Sequence, residues 1–112
     1  MSKRIEIGLA KAALLFAALG DETRLALLRR LSEGGPASIS VLSENFRVTR
    51  QAVTKHLQFL AVAGVVDGAR AGREHVWTLN KAGLGEAQRW LEVIERGWDD
   101  ALGRLKAHLE EG

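Results

Sequence analysis

The chain contains no cysteine. Disulfides and thiolate metal sites are therefore excluded, a composition compatible with the cytoplasm, where the protein is expected to act. No run of about 20 apolar residues occurs, so no membrane-spanning helix is expected. Residues 1–20 hold no long uncharged apolar run followed by a cleavage pattern, so no signal peptide is expected either. No internal repeat or low-complexity tract is found. Proline is nearly absent; the single one, Pro36, closes Gly34-Gly35-Pro36, the clearest break in the sequence. Paired carboxylates in a pocket, a Gly-rich phosphate loop and a Ser-His-Asp arrangement at supporting spacing are all missing. His56, His75 and His108 are scattered over three elements. No catalytic residue, cofactor or bound metal is expected, and the chain reads as a binding protein rather than an enzyme.

The 112 residues suit one domain, 1–112. Such a domain buries a modest core unaided, and a partner subunit would help. Net charge is only +2. Its distribution says more. Residues 1–46 carry six basic and five acidic groups, and residues 82–112 carry four basic and seven acidic. Between them, residues 47–81 hold Arg47, Arg50, Lys55, Arg70, Arg73 and Lys81 against Asp67 and Glu74. An anionic partner would meet this basic middle.

Residues 49–64 predict a helix at the centre of that segment. Thr49 is an N-cap candidate. Ala52, Val53, Leu57, Leu60 and Ala61 make one apolar stripe, and Gly64 is a stop signal. Arg50, Gln51, Thr54, Lys55 and Gln58 fall mostly off the stripe and are side-chain types that reach base edges and phosphates. Taken alone, the segment equally suits an ordinary amphipathic helix with a solvated face. Its neighbours decide.

Met1 to Gly8 read as a loosely held start. Leu9, Ala12, Ala13, Phe16, Ala17 and Leu19 form a first helical stripe ending at Gly20. Asp21 caps a second helix, with Leu25, Leu28 and Leu31 in its stripe and Ala26 and Leu27 beside them. Ser38 caps a short third helix with Ile39, Leu42 and Phe46 apolar. Residues 38–64 then form two short helices joined by a tight turn, a helix-turn-helix. Residues 65–80 shift toward a period of two and read as a two-stranded hairpin with its tip near Ala71-Gly72, flanked by Arg70 and Arg73. Trp77 on this strand reads as core. Asn80 caps a last helix reaching about Glu110. There Leu84, Ala87, Leu91, Ile94, Trp98, Ala101, Leu105 and His108 follow a heptad-like spacing. That is more apolar face than so small a domain covers, so the helix is expected to cross to a second subunit; folding back over its own core is the alternative. Gly83, Gly85, Gly97 and Gly103 either allow close helix contact or permit fraying.

The order helix-helix-helix-helix-hairpin-helix is a winged helix-turn-helix: mainly α with a small β-hairpin. Leu19-Gly20-Asp21-Glu22-Thr23-Arg24-Leu25, then Arg29 to Gly34, then Ala52-Val53-Thr54-Lys55-His56-Leu57 with Ala63-Gly64-Val65-Val66, and the glycine-tipped wing together resemble the ArsR family of small dimeric bacterial transcriptional repressors. The resemblance covers about residues 9–110. It implies a homodimer built on the first and last helices (residues 1–20 and 81–110), with Leu9, Phe16, Leu84, Leu91, Ile94, Trp98 and Leu105 at the interface. It also implies repression relieved by a signal, whose effector, small molecule or protein, is not legible.

Many relatives sense metals. One site common in that family uses a Cys-x-Cys pair, which aligns here with Ser38 and Ser40; hydroxyls do not replace thiolates. Another lies on the last helix, where His108 and Glu111 keep part of the pattern but Glu95 and Gly97 break it. The resemblance is thus to the branch without metal ligands. A further departure is Arg47, where the family's turn usually carries glycine; its backbone would have to accommodate a side chain.

Double-stranded DNA is the expected partner. Arg50, Gln51, Thr54 and Lys55 are expected in the major groove, Thr49 and Ser38 on phosphates, Arg47 beside the backbone, and Arg70 and Arg73 on the backbone or minor groove. The leading function is a sequence-specific regulator, most readily a dimeric repressor on a pseudo-palindromic operator. A non-specific architectural module and a winged-helix protein-interaction module are the alternatives.

Overall fold

The computed structural model describes the backbone of residues 3–111 and the side chains of residues 8–111. In chain order the elements are α1 (Lys3–Leu19), α2 (Glu22–Gly34), β1 (Ala37–Ser38), α3 (Ile39–Phe46), α4 (Arg50–Val62), β2 (Val66–Ala71), β3 (Glu74–Leu79) and α5 (Lys81–Glu111). The expectation for Met1 and Ser2 falls outside the described residues. From Lys3 onward the loose start is corrected: the chain is helical there. Gly8 alone does not stop it, because one interior glycine costs only about 1 kcal/mol relative to alanine.

Capping sets the helix starts. The Asp21 carboxylate accepts the Arg24 backbone N–H at 3.0 Å and opens α2. Gly35, at φ 77°, closes α2, its N–H donating to the Leu31 carbonyl at 3.1 Å. Asn80 opens α5 by accepting the Gly83 N–H at 3.1 Å, while its own N–H donates to the Val65 carbonyl at 2.9 Å. These bonds press the start of α5 onto the end of α4. A Cβ on Gly83 would coincide with the Gly64 carbonyl oxygen, so this glycine serves close approach. Gly97 and Gly103 face open space.

The sheet has three antiparallel strands in the order β1-β3-β2. The hairpin β2–β3 turns at Gly72, φ 67°, with Arg70 opposite His75. Beyond the expected hairpin, Ala37 pairs with Trp77 and Ser38 with Val76, adding β1. Two residues carry no readable period, and their partner lies some 40 positions away, so local patterning does not reveal them.

Leu27, Leu42, Val53, Leu57, Leu60, Val65 and Val66 are fully buried at the centre. Leu15, Ala18, Trp77 and Ala87 join them from α1, β3 and α5. In α2 the buried set is Leu27, Leu28 and Leu31, whereas Leu25 is 51% exposed. The inward face is therefore rotated from the one expected, because four leucines at 25, 27, 28 and 31 allow two stripes and packing selects one. Gly68 leaves space on β2 for the Trp77 and His75 rings, which stack with centroids 4.6 Å apart.

Only the first turns of α5 serve this core. From Leu91 to Glu111 every residue but Ala101 is exposed, and the molecule extends 68 Å along its longest axis. The alternative in which α5 folds back over its own domain is excluded.

Candidate nucleic-acid interface

Helices α3 and α4 meet through a turn of three residues. Arg47 adopts φ 51° and ψ 33°, the left-handed conformation, and is the one non-glycine residue with positive φ among the described residues. Such a backbone costs roughly 1–2 kcal/mol for a residue bearing a Cβ. Two side-chain caps open the helices that this turn joins. Ser38 Oγ accepts the Val41 N–H at 3.3 Å, and Thr49 Oγ1 accepts the Ala52 N–H at 3.1 Å.

With Val53, Leu57 and Leu60 turned inward, Arg50, Gln51, Lys55 and Gln58 are exposed along the opposite side of α4. Thr54 is half-buried, and its hydroxyl donates to the Arg50 carbonyl at 2.7 Å. The Arg50 guanidinium donates to Ser40 Oγ. This bond ties the first turn of α4 to the first turn of α3.

A cleft of about 400 Å³ opens between these two helix starts and the wing. It brings together Ser38, Arg50, Thr54 and Arg73 from the expected set. It also contains Ser40, Glu74 and His75, which were not expected as site residues. A signal for His75 existed: strand alternation puts it on the face of Trp77. Ser40 carried none beyond its distance from a helix cap. Ser38 is buried, with its hydroxyl engaged as a cap, while Ser40 is half-buried at the cleft. Arg47, Thr49, Gln51, Lys55 and Arg70 lie outside the cleft and are all exposed.

Charge is distributed in a telling way. The ion pairs among the described residues are Arg29–Glu33, Arg89–Glu86 and, through the histidine, His56–Asp21. None involves Arg47, Arg50, Lys55, Arg70 or Arg73. Five cations on α4, its leading turn and the wing thus lack a carboxylate partner among the described residues. Lys11, Arg24, Arg30, Lys81, Arg96, Arg104 and Lys106 lack one as well, so what sets the five apart is that all are exposed and gathered on these neighbouring elements. Cations left unneutralised on one region create a positive field for an anion.

Arg24 anchors α4 from behind. It donates to the Ala18 and Ala17 carbonyls at 2.8 and 3.0 Å, closing the end of α1. Its NH1 lies 3.4 Å from His56 Nδ1, on α4. His56 is therefore a packed, hydrogen-bonded residue. Asp21 lies 3.9 Å from the same nitrogen. The Arg24 backbone N–H, then the charges of Arg24 and His56, hold the Asp21 carboxyl below its ordinary range, against the opposing effect of desolvation.

The expected subunit-contact residues divide into two groups. Phe16 and Leu84 are half-buried and pack on the domain's own core. Leu9, Leu91, Ile94, Trp98 and Leu105 are 51 to 63% exposed, and Leu102 and Leu109 extend the same apolar surface. Among the described residues no group of three His, Asp or Glu is placed to hold a metal ion. No helix among them is long and apolar enough to cross a membrane.

Residues 19–69 match the model of a helix-turn-helix domain. The chain is 36% identical over 85 residues to the HTH-type transcriptional regulator Rv2034 of Mycobacterium tuberculosis, spanning 76% of each. It is 30% identical over 87 residues to the transcriptional repressor SdpR of Bacillus subtilis, spanning 77% of this chain and 96% of that one. Among solved structures, an ArsR-like transcriptional regulator from Rhodococcus sp. RHA1 superposes with a TM-score of 0.79 at 39% identity, covering 88% of this chain and 92% of that one.

Proposed function

The chain belongs to the ArsR family of winged helix-turn-helix transcriptional regulators, and we propose that it is a dimeric repressor that occupies a pseudo-palindromic operator in the cytoplasm. The observation that carries this reading is the gathering of five exposed cations, Arg47, Arg50, Lys55, Arg70 and Arg73, on α4, the turn before it and the wing. In this reading α4 enters the major groove. Arg50 and Gln51 read base edges, as arginine suits guanine O6/N7 and glutamine suits adenine N6/N7. Thr54 and Lys55 line the same groove. Thr49 and Arg47, both exposed, meet the phosphate backbone near helix ends, where backbone N–H groups favour anions, while Ser38 is buried and serves as the α3 cap. Arg70 and Arg73 follow the backbone into the adjacent minor groove.

The domain divides its labour accordingly: 38–64 is the helix-turn-helix, 65–80 the wing, and 1–20 with 81–110 the dimerisation helices. Exposed Leu9, Leu91, Ile94, Trp98 and Leu105 support the dimer, since a continuous apolar strip of that kind marks an interaction surface. Phe16 and Leu84 border it. A two-fold axis through α5 would set the two α4 helices about 34–36 Å apart, one turn of B-DNA. Repression follows from occupancy of the operator, so the reading requires binding and no chemical step, metal or cofactor. The relative named as a transcriptional repressor, SdpR, supports the sign of the effect.

Selection of bound sequences from a random double-stranded pool tests the reading. The expected result is an enriched inverted repeat with half-sites about one helical turn apart, protected in footprinting at a stoichiometry of two chains per site. Enrichment of no motif, with equal affinity for all sequences at physiological salt, would point to the architectural alternative.

A further inference from the structure

The far side of α4 holds a second cavity, of about 410 Å³, at the junction of α1, the end of α4 and the start of α5. It lies apart from the exposed polar face of α4. Its walls are Leu15, Ala12 and Leu14 from α1, Val62 and Ala63 from α4, and the half-buried indole of Trp90 from α5. The space exists because short residues face each other across it. A Cβ on Gly8 would come within 3.9 Å of the Trp90 ring, ordinary van der Waals contact, so position 8 borders the Trp90 edge of the cavity. The volume falls in the range of small-molecule sites, roughly 300–1,000 Å³.

The charges at the rim select a sign. Glu86 is engaged by Arg89 at 2.6 Å. Lys11 lines the cavity and has no ion pair with a carboxylate among the described residues. The C-terminus of α4 and the N-terminus of α5 both reach the cavity through Gly64 and Gly83, and their opposite partial charges offset one another. Of the two charged residues that line this aromatic and aliphatic chamber, Glu86 is engaged by Arg89 outside it and Lys11 is the one without such an ion pair among the described residues. We propose that this cavity binds a small planar carboxylate, with its ring system between Trp90 and the leucines and its carboxylate on the Lys11 ammonium. The inference concerns the free protein and does not depend on the DNA reading.

The test uses the full chain and three isosteric probes: 2-naphthoate, the neutral 2-naphthamide and the cationic 2-naphthylmethylammonium. Binding is read by calorimetry and by quenching of tryptophan emission. Naphthoate should bind once per chain, with Kd on the order of 0.1–1 mM for a ligand of this size. The amide should bind roughly tenfold more weakly and the ammonium more weakly still. Lys11→Met should erase the preference for naphthoate. Gly8→Leu adds bulk at the Trp90 edge of the cavity while replacing a helix-interior glycine, so the chain should fold at least as well and bind all three probes more weakly. Equal binding of the three probes would overturn the proposal. So would undiminished naphthoate binding in folded Gly8→Leu, or no binding by the parent chain at several times the expected Kd.

Discussion

The guanidinium carbon of Arg24 lies 4.3 Å from the centre of the Phe59 ring. One side chain thereby joins three helices: it starts on α2, donates to the last carbonyls of α1 and covers an aromatic ring of α4. Arg24→Ala removes two charge-assisted hydrogen bonds and a cation–π contact. A loss of about 2–3 kcal/mol in unfolding free energy is expected from urea titration. Arg24→Lys should recover only part, because a lysine ammonium lacks the planar fork that reaches two carbonyls at once.

Acidification acts through Asp21. Its carboxyl is held below the ordinary carboxylate range, first by the Arg24 backbone N–H and then by neighbouring positive charge, against the opposing effect of desolvation. A carboxylate with a depressed folded pKa contributes stability that is fully present above its unfolded value and lost as pH falls through the folded one. The urea midpoint of the parent chain should therefore fall as pH drops from the ordinary carboxylate range through the lower one in which folded Asp21 titrates. Asp21→Asn should be less stable than the parent at neutral pH and show a flatter acid limb. Parallel curves for the two proteins would remove Asp21 from the account.

Arg47→Gly has two opposite expected effects. Relief of the left-handed backbone at φ 51° should stabilise the fold by about 1 kcal/mol. Loss of the proposed phosphate contact should weaken DNA binding and lower the slope of log K against log salt by about one. A stabilised variant with an unchanged slope would leave Arg47 without a DNA role.

Base reading and backbone contact separate by substitution. Gln51→Ala should cost about 1–3 kcal/mol on the selected site and relax base preference at one position of each half-site. Arg73→Ala should weaken all sequences alike and reduce the salt slope by about one. Competition binding at several salt concentrations distinguishes these patterns. An equal loss from Gln51→Ala on random DNA would count against direct readout.

Leu91 and Leu105 are each 54% exposed on α5. In the proposed dimer, Leu91→Glu places a charge on both sides of the two-fold interface. Dimer dissociation should rise on the order of a hundredfold or more, with monomer seen in sedimentation and operator binding much reduced. Secondary structure should persist, because Leu91 contributes nothing to the buried core. A variant that remains dimeric would place the interface elsewhere.

Local chemistry in the sequence was enough for the helices, their caps and the wing. Asp21, Ser38 and Thr49 accept the N–H bonds that their positions foretell, because a cap needs only neighbours within three residues. The inward stripe of α4 was likewise legible, since Val53, Leu57 and Leu60 repeat at helical spacing. Long-range relations were not. Which leucines of α2 turn inward, the pairing of Ala37 with Trp77, and the bond from Arg50 to Ser40 join residues whose proximity depends on the packed fold. The same holds for the cavity beneath Trp90, which exists only where α1, α4 and α5 converge. Sequence alone determined the caps, the helical stripes from Leu9 onward and the β2–β3 hairpin, because caps, periods and turns are local, while strand β1 and the first turns of α1 came only with the fold. Tertiary structure alone decided which side chains share a cleft, because a burial face is chosen by what packs against it.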